Sequence, residues 1–163
     1  MRINLSEDER SFLALLKHFK VTASTPVMEP SIIHTKDRFL SPLASSNVYS
    51  IIESLIDKDI IRIQNNGKFN SYYLTEEGAS QVYGTFDLEQ GVSQFMQIFQ
   101  HFRVQSGHVL VLGSIMATRD QFLSPVYNER IEEIIEKAVG DDLIKMEDNF
   151  YRLTAKGEKY LYR

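Results

Sequence analysis

The chain contains one pattern of residues twice, at a constant offset of 83 positions. Between residues 18–63 and 101–146, 16 of 46 aligned pairs are identical. The longest match sets residues 35–42 (TKDRFLSP) against residues 118–125 (TRDQFLSP). Repetition of this kind indicates one supersecondary unit used twice. We therefore predict two domains, residues 1–84 and 85–163, which pack against each other because Gly84-Thr85 leaves no flexible linker.

Composition limits the classes of protein to which the chain can belong. The chain has no cysteine, which excludes disulfides, thiolate chemistry and cysteine-ligated zinc. Its first residues turn acidic without an apolar signal core, and no segment approaches the roughly 18 apolar residues of a membrane span. A content of 43% hydrophobic and 25% charged residues is ordinary for a globular protein. We expect a cytoplasmic protein without a membrane partner.

Each copy begins with a predicted amphipathic helix. Ser6 with Glu9, and Asp87 with Gln90, have the spacing of a capping box, in which two side chains satisfy free backbone N–H groups. The apolar residues behind these caps follow a 3–4–3 spacing that places them on one helix face. They are Phe12, Leu15, Leu16 and Phe19 in the first copy and Phe95, Ile98, Phe99 and Phe102 in the second.

Further elements follow in the same order in both copies. A short strand is expected within residues 22–30 and 105–113, and a brief helix near residues 32–39 and 115–122. Ser41-Pro42 and Ser124-Pro125 are then typical of a helix start, with serine as the cap and proline in the first turn. The helix at 42–57 is expected to bury Val48, Ile51, Ile52 and Leu55. A β-hairpin closes each copy, and the second hairpin is predicted to be four residues shorter.

This order of elements resembles the winged helix-turn-helix fold. The segment Tyr-x-Leu-Thr-x-x-Gly, at residues 72–78 and 151–157, resembles the way in which many winged-helix domains leave the hairpin, or wing, and enter a final helix. The fold class that the resemblance implies is α+β, with two tandem winged helix-turn-helix domains related by an internal repeat.

Many winged helices bind DNA by placing the third helix in the major groove. The two copies carry formal charges of −1 (residues 1–83) and −3 (residues 84–163), which does not favour contact with phosphate. The helix of the second copy is rich in glutamate and is a poor candidate. The first copy has polar or basic side chains on helix 42–57 and wing 62–72, namely Ser46, Asn47, Tyr49, Ser50, Arg62 and Lys68. They could contact DNA, but they are more typical of an ordinary solvated surface.

The DNA-binding alternative depends on where the basic side chains lie after folding. It gains support if those of the first copy converge on one face; these are Arg2, Arg10, Lys17, Lys20, Arg62 and Lys68. In that alternative the chain is a transcriptional regulator, and its second copy dimerises or modulates.

Residues that could carry chemistry are few. His18 and His101 occupy equivalent positions beside phenylalanines, which favours a shared structural role over catalysis. The Thr-x-Asp pairs at 35–37 and 118–120 are expected to bond to local backbone groups. Neither a glycine-rich phosphate loop nor a nucleophile elbow occurs. We expect no enzymatic activity, no cofactor and no bound metal.

Two acidic modules without a linker resemble the KITE family, the kleisin-interacting accessory subunits of SMC complexes, and similar small subunits of SMC-like ATPase systems. The resemblance implies a protein-interaction subunit whose partners are a kleisin-like or ATPase subunit and a second copy of the chain. Exposed apolar residues would contact the partner, and the candidates are Tyr49, Val126, Tyr127, Val109 and Leu110. A self-assembling accessory protein with no other ligand is a third interpretation.

Overall fold

A computed structural model of the chain describes residues 3–162. The chain divides between Thr85 and Phe86 into two compact parts, named here unit 1 and unit 2. Unit 1 contains α1 (Glu7–His18), β1 (Val27–Met28), α2 (Glu29–Thr35), a 3-10 turn (Lys36–Arg38), α3 (Pro42–Ser46), α4 (Val48–Asp57), β2 (Ile61–Asn65), β3 (Asn70–Leu74) and α5 (Glu76–Tyr83). Unit 2 contains α6 (Leu88–His101), β4 (Val109–Val111), α7 (Leu112–Phe122), α8 (Pro125–Glu129), α9 (Ile131–Gly140), β5 (Ile144–Glu147), β6 (Phe150–Leu153) and α10 (Ala155–Leu161). The fold is α+β.

The capping box predicted at the start of the first helix is confirmed, and the one predicted in unit 2 is wrong. The Glu9 N–H donates to Ser6 Oγ at 3.1 Å, and the Ser6 N–H donates to Glu9 Oε1 at 2.9 Å. In unit 2 Asp87 does cap α6, but it accepts from the N–H of the second helical residue. Its own N–H donates to the Tyr127 hydroxyl at 3.2 Å. The Gln90 side chain is therefore not needed as an acceptor there.

The predicted helix at 42–57 is two helices that meet at Asn47. Asn47 has φ −106° and ψ 23°, outside the helical range. Its carbonyl accepts from the Ser50 and Ile51 N–H groups, so α4 begins directly where α3 ends, and we call this interruption the bend. Unit 2 bends at the equivalent residue, Arg130, with φ −108° and ψ 26°. Because the residue types differ, the packing of the unit sets the bend.

Each unit has a three-stranded antiparallel sheet in which the last strand lies in the centre. The strand orders are β1-β3-β2 and β4-β6-β5. Ile61 pairs with Leu74 in unit 1, and Ile144 pairs with Leu153 in unit 2. The first hairpin spans residues 61–74 with a loop at 66–69, and the second spans only residues 144–153 with a loop at 148–149. The predicted four-residue difference between the hairpins is confirmed.

The Tyr-x-Leu-Thr-x-x-Gly segments join each hairpin to the final helix. Thr75 caps α5: its hydroxyl accepts from the Gly78 N–H at 2.9 Å and donates to the Asp59 carbonyl at 2.6 Å. Gly78 lies so close to the backbone just before β2 that a Cβ there would be 2.0 Å from the Ile60 carbonyl oxygen. The same arrangement occurs in unit 2 at Thr154 and Gly157. The threonine and the glycine therefore have a structural role in both units.

Each unit has its own apolar core. Phe12, Leu15 and Leu16 are fully buried in unit 1, as are their counterparts in unit 2, and the four predicted residues of α4 are buried. The prediction fails at the last position of the first helix face, because Phe102 is 40% exposed. Within residues 3–162, no helix is long and apolar enough to cross a membrane.

Candidate functional site

The helix that would enter a DNA groove lacks positive charge in unit 1. The α4 sequence, VYSIIESLID, has no lysine or arginine, and its carboxylates Glu53 and Asp57 are exposed. A surface of this charge repels phosphate at low salt.

The equivalent helix of unit 2, α9, exposes three glutamates and holds its cations in internal ion pairs. Lys137 Nζ lies 3.1 Å from an Asp141 oxygen, and Arg130 Nε lies 2.6 Å from a Glu133 oxygen. The cations at this helix are therefore already neutralised within the unit.

Four of the six candidate DNA contacts lie together where α3 meets α4. Ser46, Asn47, Tyr49 and Ser50 are all exposed. Two of their hydroxyls already have partners: Ser46 donates to the Pro42 carbonyl at 3.0 Å, and Tyr49 donates to a carboxylate. The structure thus brings these residues together but leaves less free hydrogen-bonding capacity than the sequence suggested.

The basic candidates lie on the hairpin. The Arg62 guanidinium stacks on the Tyr73 ring, 3.9 Å from its centroid, and donates to the Ala23 carbonyl at 3.0 Å. Lys68 is in the hairpin loop, with its ammonium 5.3 Å from the centroid of the Phe69 ring.

Two further basic residues of unit 1 lie elsewhere. Arg10 and Lys17 line a pocket between α1 and α5 whose lining includes neither Arg62 nor Lys68. Arg2 lies outside the described residues. The convergence on which the DNA-binding alternative depends is thus seen at this pocket for Arg10 and Lys17 and not for Arg62 and Lys68.

The five residues proposed for partner contact are not all on the surface. Tyr49 and Val109 are exposed, and Val126 is half-buried. The prediction is wrong for Leu110 and Tyr127, which are each 5% exposed. Leu110 faces the core because strand β4 alternates, with its neighbours pointing outward. The Tyr127 ring packs against Phe86, with ring centroids 5.0 Å apart.

Sequence reasoning missed a set of exposed apolar side chains that recurs in both units. Three pairs of equivalent positions, offset by 83, are apolar and between 38% and 64% exposed in both members. The repeat aligns these apolar residues in the sequence, but aligned apolar residues are also typical of a buried core. Only the folded structure shows that these residues are exposed. We call this set the repeated apolar surface; in each unit its members lie on both faces of the sheet and on the helix that follows the first strand. They are Met28, Ile33 and Ile63 in unit 1 and Val111, Met116 and Met146 in unit 2.

An open groove of about 590 Å³ lies beside Ile33 in unit 1. We call it the α2–α4 groove, and it is lined by Glu29, Pro30, Ile33, His34, Tyr49 and Phe69.

A hydrogen bond joins the two helices of this groove. The Tyr49 hydroxyl donates to Glu29 Oε1 at 2.6 Å. This bond, with smaller effects of burial and of the Glu29 charge, raises the pKa of Tyr49 to about 12. Beneath them, burial and the same Glu29 charge raise the pKa of Tyr72. The groove therefore combines apolar walls with a carboxylate that is held in place.

The α2–α4 groove has no chemical equivalent in unit 2. At the positions equivalent to Glu29 and Tyr49, unit 2 has Leu112 and Glu132. Proline and histidine of the groove are replaced by Gly113 and Ala117. The two units therefore share a fold and an apolar surface but differ in the polar groups beside it.

The residues considered for chemistry make structural contacts. The His18 ring lies 5.3 Å from the Phe39 ring, and His101 is at the same distance from Phe122. The backbone role expected of the Thr-x-Asp pairs is confirmed for Thr118, whose hydroxyl donates to the Ser114 carbonyl at 2.8 Å. It is wrong for Asp37, which accepts from the Ser45 side chain of α3.

Asp120 makes the equivalent contact in unit 2, with the Asn128 side chain of α8. In residues 3–162, no group of three histidine or acidic side chains is placed to hold a metal ion.

Comparison with protein-family models and with curated proteins finds no match to this sequence, and no solved structure matches its fold.

Proposed function

We propose that the chain is a tandem winged-helix protein that acts by binding other proteins, without enzymatic activity. Each unit has the order helix, strand, helix, bent helix and hairpin, and its third strand lies between the other two. This is the connectivity expected of a winged helix, in which the bent helix α3–α4 or α8–α9 occupies the position of the DNA-contacting helix.

The repeated apolar surface is the observation that carries the proposal. Single exposed apolar residues are common and need no explanation. Exposure of an apolar side chain at the same three positions of two diverged copies is harder to explain by chance. Large exposed apolar side chains cost solubility unless a partner covers them. A protein partner covers such a surface and supplies the missing burial.

The charges support a protein partner over DNA. The outward faces of α4 and α9 carry carboxylates, and the arginine and lysine beside α9 are neutralised by internal ion pairs. By resemblance to the KITE family, we propose that the partner is a kleisin-like or ATPase subunit of a larger assembly and that the chain also forms homodimers.

A matched set of variants tests the proposal. One variant changes Met28, Ile33 and Ile63 to serine, and a second changes the equivalent Val111, Met116 and Met146. Val139→Ser is the control, because Val139 is exposed but lies outside the surface. We expect both triple variants to lose self-association, measured by light scattering, and to lose the proteins that co-purify with the chain in stoichiometric amounts. The control should keep its self-association and its co-purifying proteins.

A DNA-binding assay supplies the opposing outcome. Fluorescence anisotropy with a random duplex of about 30 base pairs should detect no binding at physiological salt. Tight binding with a steep salt slope would indicate several phosphate contacts. If the triple variants also retained all associations, the proposal would have to be abandoned for the DNA-binding alternative.

A further inference from the structure

We infer that the α2–α4 groove of unit 1 binds a peptide segment that places a large apolar side chain beside a lysine or arginine. The inference rests on the proposed function, because it assumes that the chain binds proteins, and it specifies the chemistry of the segment that is bound. Three properties of the groove lead to it: its apolar walls, its carboxylate without an ion-pair partner, and a hairpin loop that is longer in unit 1 than in unit 2.

The apolar walls suit one or two large side chains. Ile33 is 38% exposed and Tyr49 is 52% exposed, and the two lie on different helices across the groove. A volume of about 590 Å³ is within the range of pockets that bind small organic groups. An aliphatic or aromatic side chain entering here would cover both residues and gain the free energy of apolar burial.

The charge in the groove specifies the second feature of the peptide. The Glu29 carboxylate accepts a hydrogen bond from the neutral Tyr49 hydroxyl, and none of the ion pairs found in residues 3–162 includes Glu29. The negative charge is therefore positioned but not neutralised. A lysine or arginine of the peptide would pair with it, and the adjacent Tyr49 ring offers a cation–π contact.

The longer hairpin of unit 1 supplies one end of the groove. Phe69 lies at the end of the four-residue loop, which Asn66 holds by accepting from the Phe69 N–H at 2.9 Å. The loop of unit 2 has only two residues, and Leu112 and Glu132 stand in the positions of Glu29 and Tyr49. Unit 2 thus lacks a carboxylate at the position of Glu29 and an aromatic residue at the position of Tyr49, where Glu132 stands instead, and it serves as an internal control.

The probe for the test is a displayed library of random 12-residue peptides, selected on the full chain. We expect enriched peptides to combine an aromatic or aliphatic residue with a neighbouring lysine or arginine. Ile33→Ser should weaken their binding about tenfold or more, as loss of a central apolar contact does. Glu29→Gln keeps an acceptor for Tyr49 but removes the charge. It should weaken binding by about threefold, the scale of a half-exposed ion pair.

Two controls separate the inference from the proposed function. Val139→Ser changes an exposed apolar residue of unit 2 that lies outside the repeated apolar surface, and it should leave peptide affinity unchanged. Circular dichroism melting of each variant checks folding. Glu29→Lys should shift selection toward acidic peptides. Enrichment of peptides without a basic residue, equal binding by Glu29→Gln, or loss of binding in Val139→Ser alone would refute the inference. None of these outcomes affects the test of the repeated apolar surface, which uses self-association and co-purification.

Discussion

Replacing Gly78 by alanine tests the structural account of the segment that joins hairpin to helix. The new Cβ would lie 2.0 Å from the Ile60 carbonyl oxygen, whereas ordinary contact begins at 3.4 Å. The start of α5 must therefore move from β2 by about 1.4 Å. That carbonyl accepts from the Thr75 N–H at 2.9 Å, and such a movement breaks this bond.

The expected cost follows from these two effects. Overpacking of a tight contact costs about 1–3 kcal/mol, and the loss of one backbone hydrogen bond costs about 1 kcal/mol. Gly78→Ala should thus lower the free energy of unfolding by about 2–4 kcal/mol. Gly157→Ala should cost as much, because a Cβ there would lie 2.1 Å from the Leu143 carbonyl oxygen.

Urea denaturation followed by circular dichroism measures these differences. Gly113→Ala is the matched control: Gly113 lies in helix α7 with no atom within 4 Å of an added Cβ. Alanine there should leave stability unchanged or raise it by up to about 1 kcal/mol. If Gly78→Ala unfolded within about 0.5 kcal/mol of the unmodified chain, the close approach of α5 to β2 would be wrong.

Three other predictions concern individual side chains. Burial alone would raise the pKa of Glu9, but Lys58 and the Ser6 contacts hold that pKa below its usual value. The stabilisation that Glu9 contributes is therefore present above the ordinary glutamate pKa and is lost as the pH falls through the lowered pKa of Glu9. In Glu9→Gln, the free energy of unfolding measured in urea should depend less on pH below about pH 4.5. In ultraviolet titration, Glu29→Gln should move the late-titrating Tyr49 from about 12 toward its usual pKa; an unchanged titration would exclude their hydrogen bond. Arg62→Ala should lower thermal stability by about 1 kcal/mol, since a stacking contact and a hydrogen bond are lost, without changing affinity for duplex DNA.

Much of the fold follows from the sequence because its signals are local. The Ser6–Glu9 box and the two hairpins depend on residues close in the chain, and both features are found in the structure. The bend at Asn47 has no local signal, since Arg130 adopts the same backbone without sharing its residue type. Tertiary packing determines where a helix is interrupted in this way, and the periodic pattern of apolar residues does not predict the interruption.

The candidate site was less predictable for a related reason. Tyr49 and Tyr127 are both tyrosines near the start of a bent helix, yet one is 52% exposed and the other 5%. The difference depends on contacts with Phe86 and Asp87, which lie about 40 positions earlier in the chain than Tyr127. Glu29 gives no signal in sequence either, because its role arises only when α2 places it beside α4.

Comparison of the two units separates residues that maintain the fold from residues that are free to acquire function. The Thr75–Gly78 closure, the histidine–phenylalanine contact and the aspartate bridge to the next helix all recur in unit 2 with the same partners or equivalent ones. Glu29, Tyr49 and the longer loop do not recur. Since unit 2 folds without them, the architecture does not require them. Their arrangement around one groove is therefore better explained by what unit 1 binds than by how it folds, whereas the repeated apolar surface points to a contact that both units can make.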